Sequence, residues 1–402
     1  MGRRDLPRRA FLEGLGLWGV GTFLLSPPLR AAAEGAYLAE LLKAAPPARF
    51  WAPADSPSLS CASCHQKVPA GEEQKGHRRR PVKCLLCAHA CVIEEGGRGR
   101  CRARANVRGE LRSLVYGRPV ALHVDPIEKK PFYHFLPGSQ AFSLGTAGCP
   151  LACRFCQNWE ISQASPEDLP ADYLPPSALA ERARQVGTPV IAFTYNEPTV
   201  FAEYLLDAAR EARKRNLRAV LVSCGFMQEA PLQEMIEVLG AIKVDLKGFS
   251  PEFYRKVSRA ELEPVLRTIR TVARAGRHLE IVNLVVPTLN DAPALLDNLC
   301  RWVAGEIGPD VPLHFTRFHP DFQLLNLPPT PVATLERARE TALKHGLRYP
   351  YVGNVPGHPG NHTYCPSCGK AVIERQGFFV TANHLQAGAC AFCGKPVAGV
   401  WS

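Results

Sequence analysis

The run Leu144-Gly145-Thr146-Ala147-Gly148-Cys149-Pro150-Leu151-Ala152-Cys153-Arg154-Phe155-Cys156-Gln157-Asn158-Trp159 decides how this chain is read. Its Cys-x3-Cys-x2-Cys spacing offers three thiolates, Cys149, Cys153 and Cys156, from one tight loop. A cubane [4Fe–4S] cluster has four irons and takes four cysteines for full ligation, so three cysteines leave one iron open to a ligand. A single zinc ion is normally closed by four ligands built from Cys-x2–4-Cys pairs, and a lone triplet suits it poorly. The loop follows an apolar stretch that reads as a strand, and Gly148 and Pro150 let the backbone wrap a metal. The three cysteines are therefore candidate catalytic and cluster-ligating residues.

Beyond that loop, residues 141–352 alternate apolar runs with helical patterns. Candidate strands lie at 141–144, 189–194, 218–223, 241–245, 278–285 and 313–318. Candidate helices lie at 177–186, 200–215, 228–239, 262–275, 292–304 and 334–345. In the second helix, apolar residues at 201, 205, 208 and 209 make one buried face. Strands and helices alternating in this way give βα units and a parallel sheet. The expected fold is α/β, a partial (β/α)6 barrel whose ligands bind at the carboxyl ends of the strands. The cysteine loop stands at the end of the first strand, where that rule places chemistry.

The chain has 402 residues, 46% hydrophobic and 21% charged, with a net charge of +11. That composition is globular, and the length exceeds one typical domain. Thirteen Lys and Arg against five Glu between residues 65 and 118 concentrate a surplus of eight positive charges there. Such a patch suits an anionic partner or a solvated face, and no clear nucleic-acid motif accompanies it. The 15 cysteines stand mostly two or three residues apart, which is ligand spacing rather than a disulfide framework.

Two further cysteine groups follow from that spacing. Cys84-x2-Cys87-x3-Cys91-x9-Cys101 offers four thiolates within eighteen residues, enough for one zinc ion or one Fe–S cluster. Cys365-Pro-Ser-Cys368-Gly and Cys390-Ala-Phe-Cys393-Gly read as the two knuckles of a zinc ribbon, with a rubredoxin-like iron as the electron-transfer alternative. Cys61-Ala-Ser-Cys64-His65 matches the c-type haem attachment motif, although no cytochrome-like sequence surrounds it. A small metal site or a redox pair is the other reading of it.

At the amino end, Pro7-Arg8-Arg9-Ala10-Phe11-Leu12-Glu13 resembles the twin-arginine export motif. An apolar stretch at 14–25 and the small residues Ala31-Ala32-Ala33 complete a signal peptide. The expected organisation is then a signal at 1–33, a linker carrying Cys-x-x-Cys-His at 34–80 and a Cys-rich metal segment at 81–133. A core at 134–352 and a zinc ribbon at 353–402 complete it. Export, or tethering to the membrane by an uncleaved signal, follows from the signal; otherwise the chain stays in the cytoplasm.

The cysteine loop, Phe193-Thr-Tyr-Asn-Glu-Pro-Thr199, Val244-Asp-Leu-Lys247 and Val285-Val-Pro-Thr-Leu-Asn290 together resemble the pyruvate formate-lyase activating enzyme branch of the radical S-adenosylmethionine (SAM) enzymes. The four-cysteine block, the run at 114–131 and the terminal segment at 364–401 are similar to the AmmeMemoRadiSam system radical SAM enzymes, and the likeness covers residues 82–402. The resemblance implies that an open iron of the three-cysteine cluster holds SAM, and that one electron cleaves it to methionine and a 5′-deoxyadenosyl radical. That radical abstracts hydrogen from a substrate the sequence does not identify. It implies Asn196, Glu197, Ser223, Asp245, Lys247 and Val286 as SAM contacts, with Val285-Val286 on adenine and Ser223 on ribose. It also implies an electron donor and Memo-like and AMMECR1-like protein partners. A glycyl-radical-enzyme activase is the alternative enzyme reading, and an exported multi-metal electron-transfer protein is the alternative of another class. His314 and His319 fall near the end of the sixth strand, on the expected substrate side.

Overall fold

The computed structural model describes residues 27–54 and 80–402, with side chains from residue 34 onward. The twin-arginine motif and the Cys61, Cys64 and His65 group lie outside the described residues. Helix α1 (Pro27–Ala44) runs through the Ala31–Ala33 stretch expected as a cleavage site. None of the helices among the described residues is long and apolar enough to cross a membrane.

One eight-stranded sheet organises the chain. Seven strands run parallel: β7 (Gln140–Gly145), β8 (Val190–Phe193), β9 (Arg218–Ser223), β10 (Ala241–Asp245), β11 (His278–Val285), β12 (Leu313–Arg317) and β13 (Pro350–Gly353). They lie side by side in chain order, and β6 (Ala121–Pro126) adds an antiparallel edge beside β7. The six expected strands are all present, and the sheet is longer than expected by β13 at one edge and β6 at the other. Residues 121–126, grouped above with the Cys-rich segment, thus pair in the main sheet.

Helices α2 (Pro176–Gln185), α3 (Ala202–Arg213), α4 (Glu229–Val238), α5 (Leu262–Arg274), α6 (Pro293–Trp302) and α7 (Val332–Lys344) connect the parallel strands. Alternating strand residues face opposite sides. Phe142, Leu144, Ile191, Phe193, Leu221, Ile242, Val244, Ile281, Leu313 and Phe315 join the large apolar core with the helices. The other face carries a smaller apolar cluster, Ala141, Val190, Ala192, Val220 and Ala241 against Ile127, Phe132 and Phe135. On that second face, period two also places Lys243 and Asp245 of β10, Glu280 of β11 and His314 of β12.

The Cys-rich segment forms β2 (Val82–Cys84) and β3 (Val92–Ile93), paired antiparallel, with β1 (Trp51–Pro53) added to β2. A hairpin of β4 (Arg104–Val107) and β5 (Glu110–Ser113) follows. Residues 34–54 are thus more than a linker: Leu41, Ala45, Ala48 and Phe50 are buried against this unit. Arg104 is buried too, and donates from Nη1 and Nη2 to Glu203 of α3 at 2.9 and 2.5 Å, which clamps the Cys-rich unit to the main core.

At the carboxyl end, β14 (Thr363–Tyr364), β15 (Ala371–Gln376) and β16 (Phe379–Asn383) form a small sheet beside the hairpin β17 (Leu385–Gln386) and β18 (Ala389–Cys390). This unit docks at the amino-terminal ends of the parallel strands. Arg375 lies 4.1 Å from the Tyr133 ring centre, and Val400 N donates to His134 O at 2.7 Å.

Candidate active site and metal centres

The loop after β7 is braced on every side. Gly148 N donates to Ile161 O at 2.9 Å, Ala152 N to Ser258 O at 3.1 Å and Arg154 N to Val257 O at 3.0 Å. Asn196, just past β8, donates from Nδ2 to Gly148 O at 2.7 Å and accepts from Thr146 N at 3.2 Å. Gly148 has φ +91°, and a Cβ there would stand 2.2 Å from Cys101 O. Only glycine meets both conditions.

Burial raises all three loop thiols: Cys149 well above its ordinary value, with Glu197 and Cys153 adding to it, Cys153 to about 11, and Cys156 as well. The Ser258 hydroxyl, which has no partner of its own among the described residues, lies against Cys153 and draws it down, as Ser162 does for Cys156. Cys153 is buried and Cys149 and Cys156 half-buried, and a bound cation would offset the burial by favouring the thiolates, with release of their protons. This donor set fits a three-cysteine cluster.

Around that loop the expected SAM contacts come together, in arrangements the sequence did not show. Glu197 caps the turn Pro198–Phe201, accepting from Thr199 N at 3.1 Å, Ser223 Oγ at 2.8 Å and Cys224 N at 2.7 Å. Glu197 and Ser223 are therefore engaged with each other. Asp245 is bridged by Lys243 on one oxygen and by Lys247 at 2.8 Å on the other. Despite burial, the two ammonium groups hold its carboxyl down at about 2. Lys247 stays charged against burial because Asp245, and after it Cys153, favour the ammonium. Its Nζ stands 5.9 Å from the Phe155 ring centre, which sets it beside the cysteine loop.

Val286 is fully buried in the helix-side core. Asn290 fixes the turn that carries it, accepting from Val286 N at 2.6 Å and donating to Lys247 O at 2.8 Å. His314 corrects an expectation. It is the second residue of β12, at the strand end away from the cysteine loop, and pairs with Glu280 at 2.7 Å. Glu280 also accepts from the Tyr133 and His134 backbone and from His278, a closed buried network. His319 is exposed.

The structure adds residues that motif reading missed. Cys224, directly after β9, is a buried thiol raised by burial, by Glu197 and by Cys149. Asp125 accepts from Lys129 at 2.8 Å, from Lys130 at 2.5 Å and from the Tyr195 hydroxyl at 2.5 Å. Burial lowers Lys130 to about 8, with Lys129 and Lys243 adding to that and Asp125 opposing it. These side chains and the Lys243–Asp245–Lys247 ladder make a charged inner wall. The signal was there: a lysine inside the apolar run Ala241-Ile-Lys-Val-Asp245 falls on the same face as the aspartate.

A profile of the Radical SAM superfamily matches residues 143–298, the span holding the loop, the ladder and the strands between them. That span is a radical SAM superfamily domain. An uncharacterized protein of Methanocaldococcus jannaschii, MJ0808, is 42% identical over 318 residues, 79% of this chain and 95% of that one. Among solved structures, a domain of pyruvate-formate lyase-activating enzyme from Bacteroides vulgatus is similar, with 15% identity, 40% of this chain and 98% of that one covered, and a TM-score of 0.37. A radical SAM methyltransferase from Sphaerobacter thermophilus covers 86% of this chain and 87% of its own, with 14% identity and a TM-score of 0.42. Membership implies an enzyme with a [4Fe–4S] cluster and SAM.

Among the described residues, Cys365, Cys368, Cys390 and Cys393 are the one set of three or more metal-ligating side chains whose ligand atoms all lie within 4.8 Å of one another. Cys365 Sγ and Cys393 Sγ are 3.6 Å apart, and Cys368 Sγ and Cys390 Sγ 3.8 Å. Gly369 N donates to Cys365 O and Gly394 N to Cys390 O, closing each knuckle at φ near +70°. These four thiols can hold one metal ion.

Proposed function

We propose that this radical SAM enzyme reductively cleaves SAM at Cys149, Cys153 and Cys156 and abstracts hydrogen from a substrate yet to be identified. We place it with the AmmeMemoRadiSam system enzymes. In this reading the sheet, with helices on one face and charged groups on the other, is an incomplete (β/α) barrel. The carrying observation is the braced three-thiol loop with the Asp245–Lys247 pair beside Cys153.

When bound, the cluster and SAM supply a 5′-deoxyadenosyl radical. The chain's part is to bind and orient. Cys149, Cys153 and Cys156 hold the metal, while Asn196 keeps their loop at the carboxyl end of β7. Lys247, held cationic, would hold the SAM carboxylate by a charge-assisted hydrogen bond. Glu197 fixes the Ser223–Cys224 turn on the opposite side. The Lys130 and Lys243 side of the inner wall then receives the substrate. In the carboxyl-terminal unit the four thiols hold zinc, because tetrahedral Zn–S bonds of about 2.3 Å put sulfurs about 3.8 Å apart.

Anaerobic reconstitution followed by assay of 5′-deoxyadenosine with SAM and a reductant tests the reading. Cys149→Ala, Cys153→Ala and Cys156→Ala should each abolish the product while the fold persists. Product formed at the parent rate by any of the three overturns it.

A further inference from the structure

The four cysteines of the amino-terminal unit have no part in that reading, and their geometry separates two metals that spacing left open. Cys84 closes β2 and its N donates to Cys91 O at 2.9 Å. A Cβ on Gly99 would lie 3.8 Å from Cys101 Sγ and 4.0 Å from Cys91 Sγ, so both sulfurs turn toward the same point. Burial raises Cys87, and the neighbouring thiols Cys101, Cys84 and Cys91 raise it further. All four thiols therefore converge.

They do not converge as zinc ligands do. Sulfurs around one tetrahedral zinc stand about 3.8 Å apart, as the carboxyl-terminal four do. No three of the Cys84, Cys87, Cys91 and Cys101 sulfurs lie within 4.8 Å of one another. Cys149, Cys153 and Cys156, where family membership implies a cluster, share that wider spacing. Thiolates bound to different irons of a cube stand farther apart than four thiolates on one ion, and both sets fit that arrangement. A second observation points the same way. Arg104 Nε is buried with no partner, and the Arg104 charge acts on Cys84 and Cys101. A buried, unpartnered N–H on a cation that acts on two of these cysteines suits donation to cluster sulfur, which tunes potential.

The unit also abuts the three-cysteine loop directly. The Cys101 carbonyl occupies the space a Cβ on Gly148 would need. His89 donates from Nε2 to Pro150 O at 2.9 Å, and Gln228 N, two residues past Phe226, donates to Leu86 O at 3.1 Å. On the outer side Cys91 is half-exposed, and Arg100 and Arg108 are exposed.

We propose that Cys84, Cys87, Cys91 and Cys101 hold a second, fully ligated [4Fe–4S] cluster that relays electrons from an acidic, low-potential one-electron protein donor to the cluster at Cys149, Cys153 and Cys156. The donor loses one electron and the four-cysteine cluster gains it. That electron then passes on, returning the relay to its starting state. No bond is made or broken at the relay and no proton moves, because every iron is already ligated. The relay role rests on the radical SAM reading; the identity of the metal does not.

Full-length Cys149→Ala/Cys153→Ala/Cys156→Ala protein, reconstituted anaerobically, decides the metal. About four irons per chain and a paramagnetic signal on dithionite reduction are expected; zinc in their place, or no metal, overturns the cluster. Cys91→Ala, at the half-exposed ligand, decides the relay in an otherwise intact chain. It should keep the irons of the three-cysteine site and lose 5′-deoxyadenosine formation with a flavodoxin-type donor, but keep it with titanium(III) citrate. Equal loss with both reductants, or loss with neither, overturns the relay. Should the parent protein form no product with titanium(III), the radical SAM reading fails, and the iron count still decides the cluster.

Discussion

Replacing Gly148 by alanine should disable the enzyme through geometry alone. Two terms add at this residue. The first is backbone strain: a side chain at φ +91° costs about 1–2 kcal/mol by the steric argument that disfavours left-handed conformations. The second is overlap. The new Cβ would lie 2.2 Å from Cys101 O, whereas Cβ contacts under 3.0 Å are essentially never seen, so the two loops must part by at least 0.8 Å. Neither side gives easily, since Gly148 is tied to Ile161 and Asn196 and Cys101 sits between Gly99 and the clamped Arg104. A displacement of about 1 Å at reacting groups is worth about 10²-fold in rate. The assay is iron content and initial 5′-deoxyadenosine rate, compared with Gly187→Ala. Gly187 also has positive φ, +73°, but nothing lies within 4 Å of its added Cβ, so it carries the strain without the overlap. Gly187→Ala should lose about 1 kcal/mol of stability and no activity. Equal activity of Gly148→Ala and Gly187→Ala would refute the claim that contact with the Cys-rich unit positions the cysteine loop.

Arg104→Met should cost about 3–5 kcal/mol in denaturant unfolding, because Glu203 is left charged and buried without its partner; a loss under about 1 kcal/mol would contradict the clamp. Burial holds His134 down at about 3, with Nδ1–H donated to Ala398 O and Nε2 accepting from Tyr351. The unfolded chain protonates this histidine near pH 6.5 and the folded one near 3. Stability should therefore fall as pH drops through that window, by up to about 1.4 kcal/mol per pH unit, and His134→Gln should flatten that slope. Chelation of the folded protein should release one zinc and lower the melting temperature without changing the iron content. Loss of iron instead would exchange the assigned metals.

The parallel strands were legible because each buried strand is a short apolar run, and the cysteine loop because ligand spacing is local. Strand β13, Pro350-Tyr-Val-Gly353, is too short and too broken by Pro and Gly to register as a strand. Strand β6 is an antiparallel edge with one of its six residues exposed and three half-buried, which dilutes its apolar signal. The stretch at 34–54 looked like a linker because Pro and Ala dominate it, yet four of its apolar side chains find a core elsewhere in the chain. Residue roles were harder. Asn196 read as a ligand contact, and the structure uses its amide to hold Gly148, which only the fold reveals. Glu280 and its partners Tyr133, His278 and His314 span much of the chain, and no motif links them.

The two ends of the sheet carry different duties, and the hydrogen bonds show why. At the carboxyl ends of the strands, backbone groups are committed to a loop that must present thiolates, and the Cys-rich unit supports that loop from outside. At the amino ends, the inner face would open to water beneath Glu280 if nothing covered it. Residues 131–136 and the carboxyl-terminal unit cover it: Arg375 donates to Tyr133 O at 2.8 Å, and Val400 and Leu136 exchange backbone bonds with that segment. Glu280, capped by two backbone N–H groups and two histidines, is thereby held well below the usual carboxylate range despite its burial. Four thiols on one metal ion would leave no position for chemistry. The place of the carboxyl-terminal unit at the end opposite the three-cysteine loop gives it a closing part, so damage to it reaches the reaction only by loosening the sheet.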